Sequence, residues 1–324
     1  MNIQNTANTR SAYGIGEPVK RKEDSQLLRG HGRFTDDINL PNQAFAYILR
    51  STIAHGRIKS IGIEAAQAMP GVLAIYTGAD MKQYGTIQSG LPFKSRDGSD
   101  MKKPGKSMLS SDKVRYVGDP IACIVAETIA QAKDASEAIE VDIEMLPVVT
   151  TADQAVASGA PAIFEDVPGN IALDFHYGDA DKVTAAFAGA AHKVKLKLIN
   201  SRLVVNTIEP RAAIGSYDKA KEHYTLHSVS QGVMGMKAGI VGAMKTTPDK
   251  VRIVTGNVGG SFGMKAATYP EYVCVLHGAR TLGRPLTFLV MQSTDEPDRW
   301  RHQFDRVRDA RERRPLEELG EDAP

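Results

Sequence analysis

Three glycines fall within five positions in the segment Val258-Gly259-Gly260-Ser261-Phe262-Gly263-Met264-Lys265. It separates a strand-like run, residues 251–255, from an apolar helix-like run, residues 272–282. A strand-to-helix turn this rich in glycine constrains the fold more than any other stretch of the chain. Successive glycines let backbone N–H groups approach an anionic ligand closely and form a concave nest at a helix start. Phe262 adds an aromatic wall. The pattern is neither a Walker A loop nor a G-x-G-x-x-G fingerprint, because Val258 takes the place of the first glycine if Gly260 and Gly263 are the later two. Taken alone, a tight structural turn accounts for it as well as a ligand does.

Two other segments give the loop company. Gln231-Gly232 closes a strand-like run about thirty residues earlier, and Glu209-Pro210-Arg211 precedes that run. A Gln amide can donate to a metal-bound oxygen while accepting elsewhere, which suits a neutral orienting role; a strand-end hydrogen bond is the plainer reading. Arg211 reads as a structural ion-pair or carbonyl-binding residue.

The chain has 324 residues, room for two domains. Residues 1–20 read as a polar, flexible leader. Periodicity then predicts strands over residues 44–50 and 72–76, a helix over 61–68, and a long surface loop over 85–111. Residues 120–125, 130–138 and 140–145 read as strand, helix and strand, and residues 148–168 as a linker. In the second half, residues 181–191 read as a helix, 191–205 as a long exposed strand, 212–216 and 224–230 as strands, and 235–244 as a helix. From about Ser293 the character changes. Through Lys265 there are 20 Lys to 11 Arg, and beyond it nine Arg and no Lys. An amphipathic helix, with Trp300, Phe304 and Val307 on one face, is one reading of this tail; a shifted reading frame is the expectation preferred here.

Composition removes several function classes. Forty Lys plus Arg against 38 Asp plus Glu leaves a net charge of +2, too balanced for a phosphate-backbone footprint. No apolar run is long enough to span a bilayer, and the N-terminus lacks a secretory pattern. Two scattered cysteines, Cys123 and Cys274, imply reduced thiols in the cytoplasm and no iron–sulfur cluster on this chain. His223 and His227 sit four apart in an alternating run, where a strand separates them by about 13 Å, too far for a metal pair. His55 reads as structural and Asp36-Asp37 as a solvated turn.

Several segments together resemble the molybdopterin-binding large subunit of the molybdenum hydroxylases, the xanthine dehydrogenase, aldehyde oxidase and carbon monoxide dehydrogenase group. They are Arg21-Lys22-Glu23-Asp24, the run Leu27-Leu28-Arg29-Gly30-His31-Gly32-Arg33-Phe34 with Asp36-Asp37, and Val114-Arg115-Tyr116-Val117-Gly118-Asp119-Pro120. Asn206-Thr207-Ile208-Glu209-Pro210-Arg211-Ala212, the Gln231 strand end and the glycine loop complete the set. The resemblance covers about residues 15 to 292. It implies an α+β chain, with an α/β hammerhead domain over residues 21–148, a linker over 149–168, the first part of a molybdopterin-binding domain over 169–292, and the atypical tail over 293–324. It implies that Gln231 stands beside the apical oxygen of molybdenum, and that Gly259, Gly260, Ser261, Phe262 and Gly263 bind the cofactor, with the cytosine dinucleotide form among those it admits. No residue here is implied as a direct metal ligand.

The reaction implied is oxidation of an aldehyde, an N-heterocycle or carbon monoxide with oxygen from water. Electrons would leave through an iron–sulfur small subunit to an FAD-binding medium subunit. The departures are informative. Ala266 stands where purine-oxidising relatives carry a substrate-binding Glu, and Ser261 and Met264 replace residues common in the group's loop, which points to the carbon monoxide dehydrogenase-like or aldehyde-oxidising branches. The general-base Glu is expected in a C-terminal half that this chain does not contain, so the chain alone is expected to be inactive. The competing readings are a non-catalytic module that binds a redox partner subunit, and an α/β domain whose loop holds an unrelated anion.

Overall fold

The computed structural model describes residues 20–199 and 205–289. The expected leader, except for residue 20, and the whole tail from Ser293 with both of its readings lie outside the described residues. A short helix Asp24–Leu27 (α1) precedes Ala44–Arg50 (β1), Gly56–Gly62 (β2), Glu64–Gln67 (α2), Val72–Thr77 (β3), Lys113–Val114 (β4), Pro120–Ala126 (β5), Ile129–Glu137 (α3) and Glu140–Met145 (β6). Ala152–Ala155 (α4) and Ala180–Gly189 (α5) lead to Ala212–Asp218 (β7), His223–Ser228 (β8), Val233–Met244 (α6), Val251–Val254 (β9), Pro270–Leu282 (α7) and Leu286–Leu289 (β10). The α+β class expected from the sequence holds.

Seven strands form one sheet in the order β3-β5-β1-β10-β7-β8-β9. β10 joins its two parts. It runs parallel to β1, with Ala44 opposite Leu286, and antiparallel to β7, with Leu286 opposite Gly215. β5 is buried along its whole length, because it lies between β1 and β3 with apolar clusters on both faces; that is why its sequence is a continuous apolar run rather than an alternating one. The larger cluster lies between the sheet and α6 and α7, and includes Ala46, Met236, Ile240, Tyr272, Leu276 and Phe288. The smaller packs α2 and α3 on the opposite face, around Ile75, Ala122, Ile124 and Ala135. Thr128 opens α3 by accepting from Gln131 N at 3.2 Å. Pro270 starts α7, and Gly283 ends it in the left-handed region at φ 65°. A second sheet, β4-β2-β6, leaves β6 at an edge.

Three expected elements differ. The helix expected over residues 61–68 is a single turn, α2, because Ile61 and Gly62 complete β2 by pairing with Val141 and Glu140. The linker 148–168 contains α4, which Thr151 caps by accepting from Gln154 N. The strand expected over 191–205 is absent from residues 191–199, all of them exposed, and residues 200–204 lie outside the described set. Alternation assigns side chains to faces, but a strand also needs a neighbour for its N–H and C=O groups.

Phe288 sits at the joint between the two parts of the sheet, opposite Ala46 and Ala213 and buried in the larger cluster. Phe288→Ala is expected to cost about 3–5 kcal/mol, read as a lower urea midpoint with an unchanged slope.

Candidate functional site

Lys265 is fully buried, and its ammonium sits 3.0 Å from Glu209 Oε2 and 2.8 Å from the Glu209 carbonyl oxygen. A buried charge is tolerable only when paired and hydrogen-bonded, so these contacts dictate where three segments meet. Glu209 Oε2 also accepts from Gly259 N at 2.7 Å, and Glu209 N donates to Gly259 O at 3.2 Å. The main chain of Lys265 extends the network: its N–H donates to Ser261 Oγ at 3.2 Å, and its carbonyl accepts from Gln231 N at 3.1 Å. A Cβ on residue 259 would lie 2.5 Å from Glu209 Cβ, so only glycine permits this approach. The N-terminal motif arrives at the same place. Arg33 N donates to Asn257 Oδ1 at 2.8 Å, and Thr35 N to Glu209 Oε1 at 3.4 Å.

Beyond Gly259 the loop faces outward. Gly260 and Gly263 have φ of 92° and 90°, and Phe262 between them is also in the left-handed region, at φ 49°, and is 76% exposed. A non-glycine residue in this region is strained. Among the described residues the N–H groups of Gly260, Ser261, Phe262 and Gly263 find no protein acceptor. The Ser261 side chain is turned inward and buried. Gln231, just before α6, is exposed, and its amide has no hydrogen bond among the described residues. Four free donors, an aromatic ring and a neutral amide thus share one rim.

A second charge cluster ties this rim to β1. Glu271 lies 3.5 Å from Arg211 and is bridged by Arg50, whose Nη1 also donates to Gly118 O at 3.1 Å. Arg211 stacks 3.5 Å over the Tyr269 ring. Burial pushes the Glu271 carboxyl upward in pKa, but the guanidinium groups of Arg211 and Arg50 overcome that and hold it below its ordinary value. The ion pair expected of Arg211 is therefore present.

Residues 29–147 match the aldehyde oxidase and xanthine dehydrogenase a/b hammerhead domain, and residues 163–296 match the molybdopterin cofactor-binding domain. The chain belongs to the molybdenum hydroxylase large-subunit family. It is similar to the carbon monoxide dehydrogenase large chain of Hydrogenophaga pseudoflava, 32% identical over 281 residues, which cover 83% of this chain and 34% of that one. The gamma subunit of the 6-hydroxypseudooxynicotine dehydrogenase complex of Paenarthrobacter nicotinovorans is 33% identical over 280 residues, 84% of this chain and 34% of the relative. Among solved structures, a Cu,Mo-CO dehydrogenase superposes with a TM-score of 0.73 at 30% identity, over 86% of this chain and 35% of that one. The chain thus spans about a third of the length of these relatives.

Other sequence candidates lie apart from this rim. His223 and His227 stand at opposite ends of β8, as the alternation implied. His55 is buried, with Nδ1 2.7 Å from the Pro147 carbonyl oxygen. Among the described residues no three His, Cys, Asp or Glu side chains gather to hold a metal, and no helix is long and apolar enough to cross a membrane. Clefts of about 430 and 350 Å3 lie elsewhere, the first between residues 95–102 and 171–174, the second beside α6 and β9. Sequence reading missed the Glu209–Lys265 and Arg50–Glu271 pairs. Their partners are 56 and 221 positions apart, and nothing local marks them.

Removing one member of a buried pair strands the other charge. Lys265→Met is expected to destabilise the protein by about 3–5 kcal/mol, with Lys265→Met/Glu209→Gln recovering part of that in urea unfolding. Because the folded Glu271 carboxyl titrates below its ordinary value, its stabilisation is present above the ordinary carboxylate range and disappears as pH falls through the folded value. Glu271→Gln is expected to lower stability at neutral pH and to flatten its decline in acid, followed as the thermal midpoint against pH.

Proposed function

We propose that loop 259–263 and Gln231 form one wall of a molybdopterin site in an oxidoreductase that hydroxylates an aldehyde or N-heterocycle, or oxidises carbon monoxide, with water. The observation that carries this is the exposed, strained Phe262 set among four N–H groups without acceptors. Strain at an exposed residue points to a ligand rather than to packing. A pterin with its phosphate and dithiolene is rich in acceptors and has a flat ring, and so suits this rim.

When bound, that cofactor supplies the two-electron oxidation of substrate carbon. The substrate gains oxygen from water and releases two protons and two electrons. The chain's own residues have positional tasks. The N–H groups of residues 260–263 would hold the anionic groups, Phe262 would exclude water from one side, and the Gln231 amide would donate a hydrogen bond to the bound group. Ser261 and Lys265 keep the two segments at a fixed separation. Gly259 holds the loop to Glu209. Ala266 presents no carboxylate for a purine, which favours the aldehyde, N-heterocycle or carbon monoxide branches. In the same reading the cofactor carries a cytosine dinucleotide, and an iron–sulfur subunit and an FAD subunit carry the electrons away. The domains divide at residues 148 and 168, and the protein works in the cytoplasm, in keeping with its two buried free thiols.

Anaerobic titration of the purified chain with isolated molybdenum cofactor tests this through pterin fluorescence. Saturable binding is expected, with Phe262→Gly weakening it about tenfold, equivalent to roughly 1.4 kcal/mol of ring contact. The same variant is expected to be at least as stable as the wild type, because glycine relieves the positive φ. No turnover of dye with aldehyde, N-heterocycle or carbon monoxide is expected from the 324-residue chain by itself. Absence of saturable binding to the wild type would overturn the reading.

A further inference from the structure

Phe262 needs something to hold it where it is. Met264 N donates to Ser261 O at 3.0 Å and closes a four-residue turn from Ser261 to Met264. The two central residues, Phe262 at φ 49° and Gly263 at φ 90°, both have positive φ, the pattern of a type I′ turn. Glycine takes the second of these places without strain, whereas phenylalanine at the first is strained. Strained backbone persists only where its surroundings over-determine it. Glu209 fixes Gly259 ahead of the turn, and the Lys265 N–H holds the Ser261 hydroxyl at its start. Neither grips the carbonyl at its end, that of Met264.

Tyr269 does. Its hydroxyl donates to Met264 O at 2.5 Å, and no other donor among the described residues reaches that oxygen. The tyrosine is itself fixed from several sides. Pro270 keeps its backbone extended, at φ −117° and ψ 148°, and its carbonyl accepts from Tyr272 N at 3.1 Å as α7 begins. Its ring packs on the larger cluster, with the Arg211 guanidinium 3.5 Å from its centroid and the Tyr272 ring edge-on at 5.8 Å. Arg211 is held in turn by Glu271, the second residue of α7. A phenylalanine ring would fill the same space and keep the stack with Arg211, so packing does not call for the hydroxyl. The turn does.

We propose that Tyr269 is a positioning residue for the rim: by holding Met264 O, its hydroxyl keeps the 261–264 turn in the strained form that leaves Phe262 exposed and the N–H groups of Phe262 and Gly263 without protein acceptors. Its effect on cofactor binding rests on the reading of that rim as a molybdopterin wall. Through Arg211 the same tyrosine ties the rim to the Glu271 cluster and so to β1.

Tyr269→Phe removes one oxygen and keeps the ring. Hydrogen–deuterium exchange of the intact chain, without cofactor, is the first readout. The amides of Met264, Lys265 and Ala266 are hydrogen-bonded within the turn or back to it. They are expected to exchange about fivefold faster in the variant, the effect of one neutral hydrogen bond, while the amides of β7 and β8 keep their wild-type rates. In the double variant Tyr269→Phe/Phe262→Gly they are expected to exchange at nearly the rate of Phe262→Gly alone, because a glycine at positive φ needs no restraint. A hydroxyl with only a packing role would instead act equally on both backgrounds. Titration with molybdenum cofactor, followed by pterin fluorescence, is the second readout, and binding to Tyr269→Phe is expected to be about fivefold weaker. Unchanged exchange, equal acceleration on both backgrounds, or wild-type affinity in a variant whose turn exchanges faster would each overturn the proposal. A wild type that binds no cofactor would overturn the molybdopterin reading instead, and the exchange rates would still decide whether Tyr269 holds the turn.

Discussion

The buried pair of Lys265 and Glu209 is the contact on which the site depends. An ammonium with no water around it must be met by fixed acceptors, and here both come from one residue, the carboxylate and carbonyl of Glu209. Meeting that requirement brings the Glu-Pro-Arg segment against the glycine loop. The same lysine's main chain then fixes Ser261 on one side and Gln231 on the other. A single electrostatic demand thus sets the distance between the two segments that carry the exposed donors.

The rim is rigid behind and open in front. Behind it stand the second charge cluster, Arg50, Glu271 and Arg211, and a sheet whose central strand, β10, binds β1 to β7. Glu271 projects from α7, most of whose residues are buried, so the cluster links that helix to the end of β1. In front, Phe262 lies exposed. An apolar surface of this kind at a site marks a place for ligand or protein, and the chain spans about a third of the length of its relatives.

Much of the architecture was legible because it is local. The apolar run of β5, the helices α3, α6 and α7 and the strands β7 to β9 announce themselves by composition and period. The alternation around His223 and His227 correctly argued for a strand against a chelating helix. The failures share one cause. Ile61 has helical neighbours, but a ladder with β6 claims it. Residues 193–199 have the period of a strand but pair with no strand among the described residues. In each case a partner distant in sequence decided the outcome.

The same division runs through the site. The order and spacing of the motifs, the glycines that permit a close turn and Gln231 at a strand end were all in the sequence, because they depend on backbone freedom and residue type. It also carried the family resemblance. Only the tertiary structure decided that Lys265 is buried rather than solvated, that Ser261 turns inward while Phe262 turns out, and that Glu209 rather than a solvent molecule satisfies Gly259. Those outcomes follow from desolvation, which a residue acquires only from neighbours that folding brings to it, and no local pattern can state which neighbours those are.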